Sequence, residues 1–398
     1  MSAPSRQSLT RVLESWMAQI VSGIATDRKI EAGALRATID RAPLLAEEAK
    51  TAGLIDKIGY WETYSDAAQD LGAGDAVLME LLHYASLKGE PEEKGPSIAL
   101  IYGVGPIEQG NEKDNPFEAA RFASNAVADA IDDAVDDSSI RAIILRVDSP
   151  GGSYIGSDTV HRAVKRAREA DKPMIATMGS YGASGGYFVS MAADKIVALP
   201  TTLTGSIGVF GGKFSTADLW GKLGINWARV SVGANAGMWS QIYPFSSSAA
   251  ERHRATLDFV YQDFTQKVAA DRSLPKGRLD AVARGRVWTG VDALEVGLVD
   301  ALGGFSVATN LVREALELAP GSPLNIIVLP EQQSPLELVR EVIADGVPLS
   351  RVFARIFAKP EASSYDVLLK SLEPIVGDIS VFRPPAGILQ LPPFRVVQ

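Results

Sequence analysis

The sequence predicts an α/β protein built on a mostly parallel sheet flanked by helices, and three observations predict it. Apolar strand-length runs alternate with amphipathic helical stretches from Ile98 to Leu199, the pattern of successive βαβ units. Small-residue turns, Asp148-Ser149-Pro150-Gly151-Gly152 and Gly179-Ser180-Tyr181-Gly182-Ala183-Ser184-Gly185-Gly186, follow two of those strands. Asp148 and Ser184 therefore fall just past strand carboxyl ends, where open α/β sheets place their ligands.

In chain order, Leu9, Val12, Leu13, Trp16, Met17, Ile20, Val21 and Ile24 recur at helical spacing, so residues 9–25 read as an amphipathic helix. Residues 35–45 and 46–52 read as two shorter helices, and Gly53 to Gly59 as a strand or turn. A further helix is predicted over residues 76–87, and a charged run with Pro91 and Pro96 then reads as a linker. Beyond it come strand 98–102, helix 117–135, strand 142–147, helix 156–170, strand 174–178, helix 184–193 and strand 196–199. Long helices follow over 249–270 and 278–283. After Pro320 the pattern gives shorter helices over 335–344, 349–357 and 365–372, then a Pro-rich tail. The predicted divisions are 1–70, a linker over 71–96, the α/β domain over 97–320, and a helical and Pro-rich region over 321–398.

Composition bounds the chemistry. The 398 residues are 46% hydrophobic and 22% charged, ordinary values for a packed globular chain. A net charge of −9 and the lack of a basic stripe argue against nucleic acid as a partner. The absence of cysteine excludes disulfides, thiolate catalysis and cysteine zinc sites, and no metal or other cofactor is predicted. No apolar run approaches a membrane span, and no leader pattern follows Met1.

One internal repeat stands out. Ala25, Asp27, Arg28, Gly33, Leu35, Ala49, Gly53, Leu54, Asp56 and Gly59 recur as Ala269, Asp271, Arg272, Gly277, Leu279, Ala293, Gly297, Leu298, Asp300 and Gly303, at a constant offset of 244 without a gap. The second copy closes the α/β domain, so residues 1–70 read as the end of a first domain whose sheet would precede Met1.

The turn at Ser184 offers a hydroxyl at a helix start, and the glycines around it and at 151–152 offer unobstructed backbone N–H groups; nucleophile plus donors is the minimum for acyl transfer. The same small-residue turn also serves plain packing. Gly182-Ala183-Ser184-Gly185-Gly186 fits a G-x-S-x-G elbow, but that arrangement needs a later histidine, and His253 alone follows, among charged residues of a helix that reads as a solvated face. His83 and His161 lie upstream. A lysine base is the natural substitute.

Four motifs carry a resemblance. Residues 142–153, 178–187, 203–211 and the pair Gly285-Arg286-Val287-Trp288-Thr289-Gly290 with Gly297-Leu298-Val299-Asp300 together resemble the signal peptide peptidase A (protease IV) family, in order and spacing, over most of residues 97–320. The N-terminal block resembles the closing segment of the first repeat in its long, two-repeat members. The resemblance implies a Clp-protease/crotonase-like fold and a Ser/Lys dyad. It implies Ser184 as nucleophile, Gly152 and Gly185 as oxyanion donors, and Ser206 as the hydroxyl that orients the lysine. It further implies released signal peptides and similar apolar peptides as substrates, homo-oligomers, and a membrane-associated protein at the periplasmic face of the inner membrane, although no anchor is visible in this sequence. Two positions depart from the family pattern. Asp148 stands where the family has Asn. Trp239 stands at the lysine position that follows the predicted strand Trp227 to Val232, and subtracting the offset places the other repeat's lysine just before Met1. Lys213 is the nearest substitute in sequence, with a solvated loop lysine as the plain alternative. The expected outcome is an impaired serine endopeptidase; a crotonase-type acyl-CoA enzyme and a non-catalytic fragment are the competing readings.

Overall fold

The computed structural model describes residues 1–72, 77–88, 94–111, 122–330 and 389–390. The chain divides into two compact units, Met1–Gly95 and Pro96–Gln398.

In the first unit every described element is helical: α1 (Ala3–Arg28), α2 (Ala32–Ile39), α3 (Ala46–Thr51), α4 (Trp61–Asp70) and α5 (Leu81–Lys88). Ser2 caps α1 by accepting from the Ser5 N–H, and α1 ends where Lys29 turns left-handed at φ 55°. The Glu31 carboxylate then caps α2 through Gly33 N–H at 2.8 Å and Ala34 N–H at 2.7 Å. Arg28 closes the corner, giving two hydrogen bonds to Asp56 and a third to the Gly53 carbonyl. Among the described residues of this unit, Val12 and Leu35 are the buried apolar side chains. Helix α4 escapes the sequence reading because its apolar residues, Trp61 and Tyr64, are exposed rather than arrayed on a buried stripe.

The second unit carries strands β1 (Ser97–Val104), β2 (Ile107–Glu108), β3 (Phe122–Ala123), β4 (Ile140–Ser149), β5 (Gly151–Gly152), β6 (Met174–Ala183), β7 (Lys195–Ala198), β8 (Leu203–Gly205), β9 (Val287–Thr289), β10 (Ala301–Leu302), β11 (Asn325–Leu329) and β12 (Leu389–Gln390). Its helices are α6 (Ser124–Asp136), α7 (Tyr154–Glu169), α8 (Gly185–Ser190), α9 (Ala217–Lys222), α10 (Ser247–Asp271), α11 (Lys276–Val282), α12 (Gly290–Val296) and α13 (Phe305–Ala315). The main sheet runs β10-β7-β6-β4-β1-β11, all parallel, with β8 on β6 and β9 antiparallel on β8.

Side chains of successive strand residues point to opposite faces, and both faces are covered. Ala99, Ile101, Ile143, Leu145, Ala176 and Met178 join one core with residues of α6, α7, α8 and α10. Ile98, Leu100, Ala142, Ile144, Ile175 and Val197 form the other, against Ala308 and Val312 of α13. Burial on both faces explains why β1, β4 and β6 read as continuous apolar runs. Strand β6 changes partner along its length: residues 175–177 pair with β7, and 181–183 with β8. That change carries the small-residue turn off the main sheet toward Gly205 and Ser206.

Several elements differ from the sequence reading. Strand β11 lies in the stretch read as helical, and its Asn-Ile-Ile-Val-Leu run pairs residue by residue with β1. No strand forms over residues 227–232, where Val230 and Val232 are almost fully exposed. The helices expected over 335–344, 349–357 and 365–372, and the first residues of the one expected over 117–135, lie outside the described residues. The expected membrane association is corrected: among the described residues no helix is long and apolar enough to cross a membrane. The two longest carry charge along their length, Arg6, Arg11, Glu14 and Asp27 in α1 and Glu251, Asp258, Asp263 and Lys267 in α10.

Candidate active site

Ser184 sits between the end of β6 and the start of α8, 1% exposed, with φ 53° and ψ −116°. A residue with a Cβ held there costs of order 1–3 kcal/mol, which the surroundings must offset. Its N–H donates to the Gly205 carbonyl at 2.8 Å, and its carbonyl accepts from Phe188 N–H at 2.9 Å. Two threonines missed in the sequence brace the approach: Thr202 Oγ1 donates to the Gly179 carbonyl and Thr204 Oγ1 to that of Gly182, each at 2.7 Å. Their spacing of two residues beside the turn is the signal that could have found them.

Helix α8 is buried throughout. Tyr187 donates from its hydroxyl to the Leu298 carbonyl at 3.0 Å, and burial pushes its ionisation above the ordinary tyrosine range. Phe188 packs against Tyr154, His161 and Phe264. His161 is itself tied to Asp271, Nε2 to Oδ2 at 2.7 Å, so that histidine supports the helix bearing Ser184 by packing.

Gly152 and Gly185 come together. A Cβ on Gly185 would lie 3.1 Å from the Gly152 nitrogen and 2.6 Å from Ser157 Oγ. A Cβ on Gly152, at φ 154°, would lie 2.2 Å from the Ile107 carbonyl oxygen. Only glycine fits either place, so the two backbones approach closely beside Ser184. Gly185 is the first residue of α8, where N–H groups have no partner within the helix. Ser149 Oγ takes the Gly151 N–H at 3.2 Å and holds the turn. Asp148 uses a carboxylate oxygen to accept the Tyr181 N–H at 3.0 Å, tying the end of β4 to the small-residue turn.

Ser206 has the same unusual backbone sign, φ 49°, is 4% exposed, and donates its N–H to the Arg286 carbonyl at 2.7 Å. It lines a cavity of about 800 Å³ with Val209, Phe210, Leu257, Tyr261 and Arg284.

Lys213 is engaged elsewhere. Its Nζ donates to the Ser240 carbonyl at 2.8 Å and lies 4.5 Å over the Phe245 ring. Burial, and then the charge of Arg229, lower its pKa from the ordinary lysine value. Among the described residues no lysine bonds Ser184 or Ser206. Trp239, half exposed, meets Phe245 and His253 edge-on. His253 is not a solvated helix-face residue: its ring stacks on Phe245, and its Nε2 is buried without a hydrogen-bond partner. Among the described residues no three His, Asp or Glu side chains converge as a metal site requires.

Comparisons with known proteins place the chain in a family. Residues 166–319 match the family described as Peptidase family S49. The chain is similar to the chloroplastic serine protease SPPA of Arabidopsis thaliana, 38% identical over 208 residues, covering 52% of this chain and 31% of that protein. It is similar to Protease 4 of Salmonella typhi, 34% identical over 65% of this chain and 40% of that protein. It thus spans well under half the length of these two relatives. A putative protease of Methanocaldococcus jannaschii is 32% identical and is covered over 72% of its own length, by 56% of this chain. With a relative matched across most of its length, and a family match that holds the Ser184 elbow, Ser206 and the closing Gly297–Asp300 segment, this chain belongs to peptidase family S49.

Proposed function

We propose that the chain is a serine endopeptidase of the Ser/Lys dyad type, acting on apolar peptides held extended, with signal peptides released from their precursors as the expected class. Ser184 is the nucleophile, and the Gly152 and Gly185 N–H groups stabilise the oxyanion. Ser206 orients the amine of the base. The observation that carries the reading is the convergence of Gly152 and Gly185 beside a serine held at positive φ. Donors set in advance are worth about 3–4 kcal/mol each in acyl transfer.

The mechanism requires a neutral amine to take the Ser184 proton as its oxygen attacks the peptide carbonyl, and then to return that proton to the leaving nitrogen. Lys213 is the wrong amine on present geometry, since its bonds run to Ser240 and Phe245. Among the described residues no amine is placed to take that proton, so the chain by itself is read as an impaired peptidase, short of a general base worth about 10² to 10⁴ in rate. Residues 1–70 are read as the closing segment of a first repeat and 97–320 as the catalytic domain, with a fold of the Clp-protease/crotonase type. Exposed Phe214, Trp227, Val230 and Val232 support a homo-oligomer, in which such side chains would be covered.

A fluorophosphonate probe tests the assignment. The expected result is slow labelling of the chain, abolished in Ser184→Ala and accelerated when a lysine-bearing first-repeat segment of a long relative is co-expressed. Labelling that survives in Ser184→Ala would remove Ser184 from its role, and an inert Ser184 under both conditions would favour a non-catalytic fragment.

A further inference from the structure

Helices α7 and α10 meet through a row of polar pairs. Tyr154 donates its hydroxyl to Asp263 Oδ2 at 2.7 Å, Lys267 donates to Asp158 and, at 2.7 Å, to the same Asp263 oxygen, and His161 Nε2 meets Asp271 Oδ2 at 2.7 Å. On each helix these residues recur at spacings of three or four, so each set lies along one face. The cross-helix separations are 109, 109 and 110 residues, so the two helices run in the same direction at one register. A slip of either helix by one turn would break every pair at once, and paired polar groups fix register more narrowly than apolar packing does.

The row encloses the ring that anchors α8. Phe188 meets Tyr154 and His161 edge-on, at 5.9 and 5.3 Å between ring centroids, and Lys267 Nζ lies 5.3 Å from its centroid. Phe188 N–H holds the Ser184 carbonyl, and Tyr154 stands two residues after Gly152. The two N–H groups assigned to the oxyanion therefore belong to different elements, Gly152 to the strand that leads into α7 and Gly185 to α8. Ser157, in the first turn of α7, has its Oγ only 2.6 Å from where a Gly185 Cβ would stand, so a shift of α7 on α8 moves one donor relative to the other. Lys267 is not the missing base. Burial acts to lower its pKa, but the bonds to Asp158 and Asp263 raise it above the ordinary lysine value, and a base must be neutral.

We propose that Lys267, at the centre of this row, is a positioning residue for the Ser184 reaction: its bonds to Asp158 and Asp263 set the register of α7 on α10 and so hold the Gly152 N–H in place against that of Gly185. The inference rests on reading Ser184, Gly152 and Gly185 as the active site.

The test follows fluorophosphonate labelling against probe concentration in the full chain and in Lys267→Met, Lys267→Arg, Tyr154→Phe and Val312→Ala. Val312 packs on the other face of the sheet and controls for lost stability. Lys267→Met is expected to lower the maximal labelling rate on the order of tenfold with little change in the half-saturating concentration, since displaced donors weaken the transition state more than probe binding. Lys267→Arg keeps the charge and should recover most of the rate, while Tyr154→Phe removes one hydrogen bond and should lose about twofold to threefold. Amide exchange over residues 150–155 and 184–190 should quicken in Lys267→Met and return in Lys267→Arg. An unchanged rate with unchanged exchange in Lys267→Met would overturn the proposal. So would Lys267→Arg labelling as slowly as Lys267→Met, or Val312→Ala labelling as slowly at an equal loss of Tm. If Lys267→Met does not fold, Tyr154→Phe decides by the same two readouts, and no change in either overturns the proposal. If the unaltered chain does not label even beside a lysine-bearing first-repeat segment, the catalytic reading fails alone where exchange at both turns still follows Lys267, and both fail where it does not.

Discussion

Residues 25–59 and 269–303 share a sequence pattern and, in the structure, a hydrogen-bond pattern. Ile30 N–H reaches the Ala25 carbonyl as Leu274 reaches that of Ala269, both at 3.0 Å. Leu54 N–H reaches Ala49 at 2.9 Å as Leu298 reaches Ala293 at 2.8 Å. Lys29 and Ser273 both turn left-handed, and Arg28 pairs with Asp56 as Arg272 pairs with Asp300. The difference lies in what else these groups touch. Asp300 also accepts the Ile196 N–H of β7 at 2.7 Å, Gly303 donates to Ala198, and Leu298 accepts the Tyr187 hydroxyl. The second copy is thereby joined to the sheet and to the helix that starts at Ser184. In the first copy, whose described elements include no strand, the Arg28 and Asp56 side chains are 30% and 80% exposed, against 7% and 24% for Arg272 and Asp300. The helix corner is thus local in origin, and the sheet adds burial and a connection to the site.

If that is right, equivalent substitutions should have unequal effects. The largest contrast is expected between Phe264 and Ile20, which the offset makes equivalent. Phe264 is fully buried and touches the Phe188 ring at 4.8 Å between centroids, whereas Ile20 is 48% exposed. Phe264→Ala should cost about 3–5 kcal/mol and slow fluorophosphonate labelling of Ser184 by loosening α8. Ile20→Ala should cost under about 1 kcal/mol. Denaturant unfolding followed by hydrogen exchange reports both, and equal losses would mean that the first copy is packed as tightly as the second.

The ion pairs give the next contrast. Removing Arg272 leaves Asp300 without its cation in a largely buried place, a change that costs about 3 kcal/mol where burial is complete and somewhat less here. Arg28→Ala removes a more exposed, solvent-screened partner and should cost clearly less than Arg272→Ala. The same measurements apply, and a larger loss for Arg28→Ala would reverse the comparison.

The two copies also show what can be read from a sequence and what cannot. The repeat was legible because it is a matter of residue identity at a fixed offset, and β4 and β6 were legible because burial on both faces demands continuous apolar runs. The Ser184 elbow was legible because close backbone approach requires glycine at 152 and 185. Strands β8, β9 and β10 were not, since two or three residues become a strand only when a distant partner supplies the ladder. Strand β11 was not read, because its Asn-Ile-Ile-Val-Leu run lies in a stretch dominated by the helical pattern that follows it and becomes a strand only against β1. Tyr187, Thr202 and Thr204 hold the site by donating to backbone carbonyls, so residue identity shows the hydroxyls but not the distant partners they find. His253 misled because its flanking charges describe a solvated face, while Trp239 and Phe245 fold onto the ring from outside the helix.

The smallest expected effect concerns acid, and it separates the copies at the start of their short helices. Position 31 is Glu and its equivalent is Pro275, which caps α11 with no side chain. The Gly33 and Ala34 N–H groups hold the Glu31 carboxyl below the ordinary 4.5, and hydrogen bonding to Arg28 holds Asp56 below the ordinary 3.8. A depressed folded-state pKa means that the folded form binds protons more weakly than the unfolded chain. The associated stability is then complete above the unfolded pKa values and is lost as pH falls through the folded ones. Lowering the pH below about 4 should loosen the Lys29–Ala34 corner before the equivalent turn at Ser273–Arg278, which has no capping carboxylate to protonate. Carboxyl-carbon NMR titration should place Glu31 and Asp56 below their ordinary values, and Arg28→Ala should return Asp56 to about 3.8 while leaving Glu31 depressed. Glu31→Gln should remove most of the acid sensitivity of the corner without altering Asp56. An Asp56 that titrates at or above its ordinary value in the unaltered chain would show that the Arg28 pair does not persist in solution, and that the first copy keeps its shape through helix capping alone.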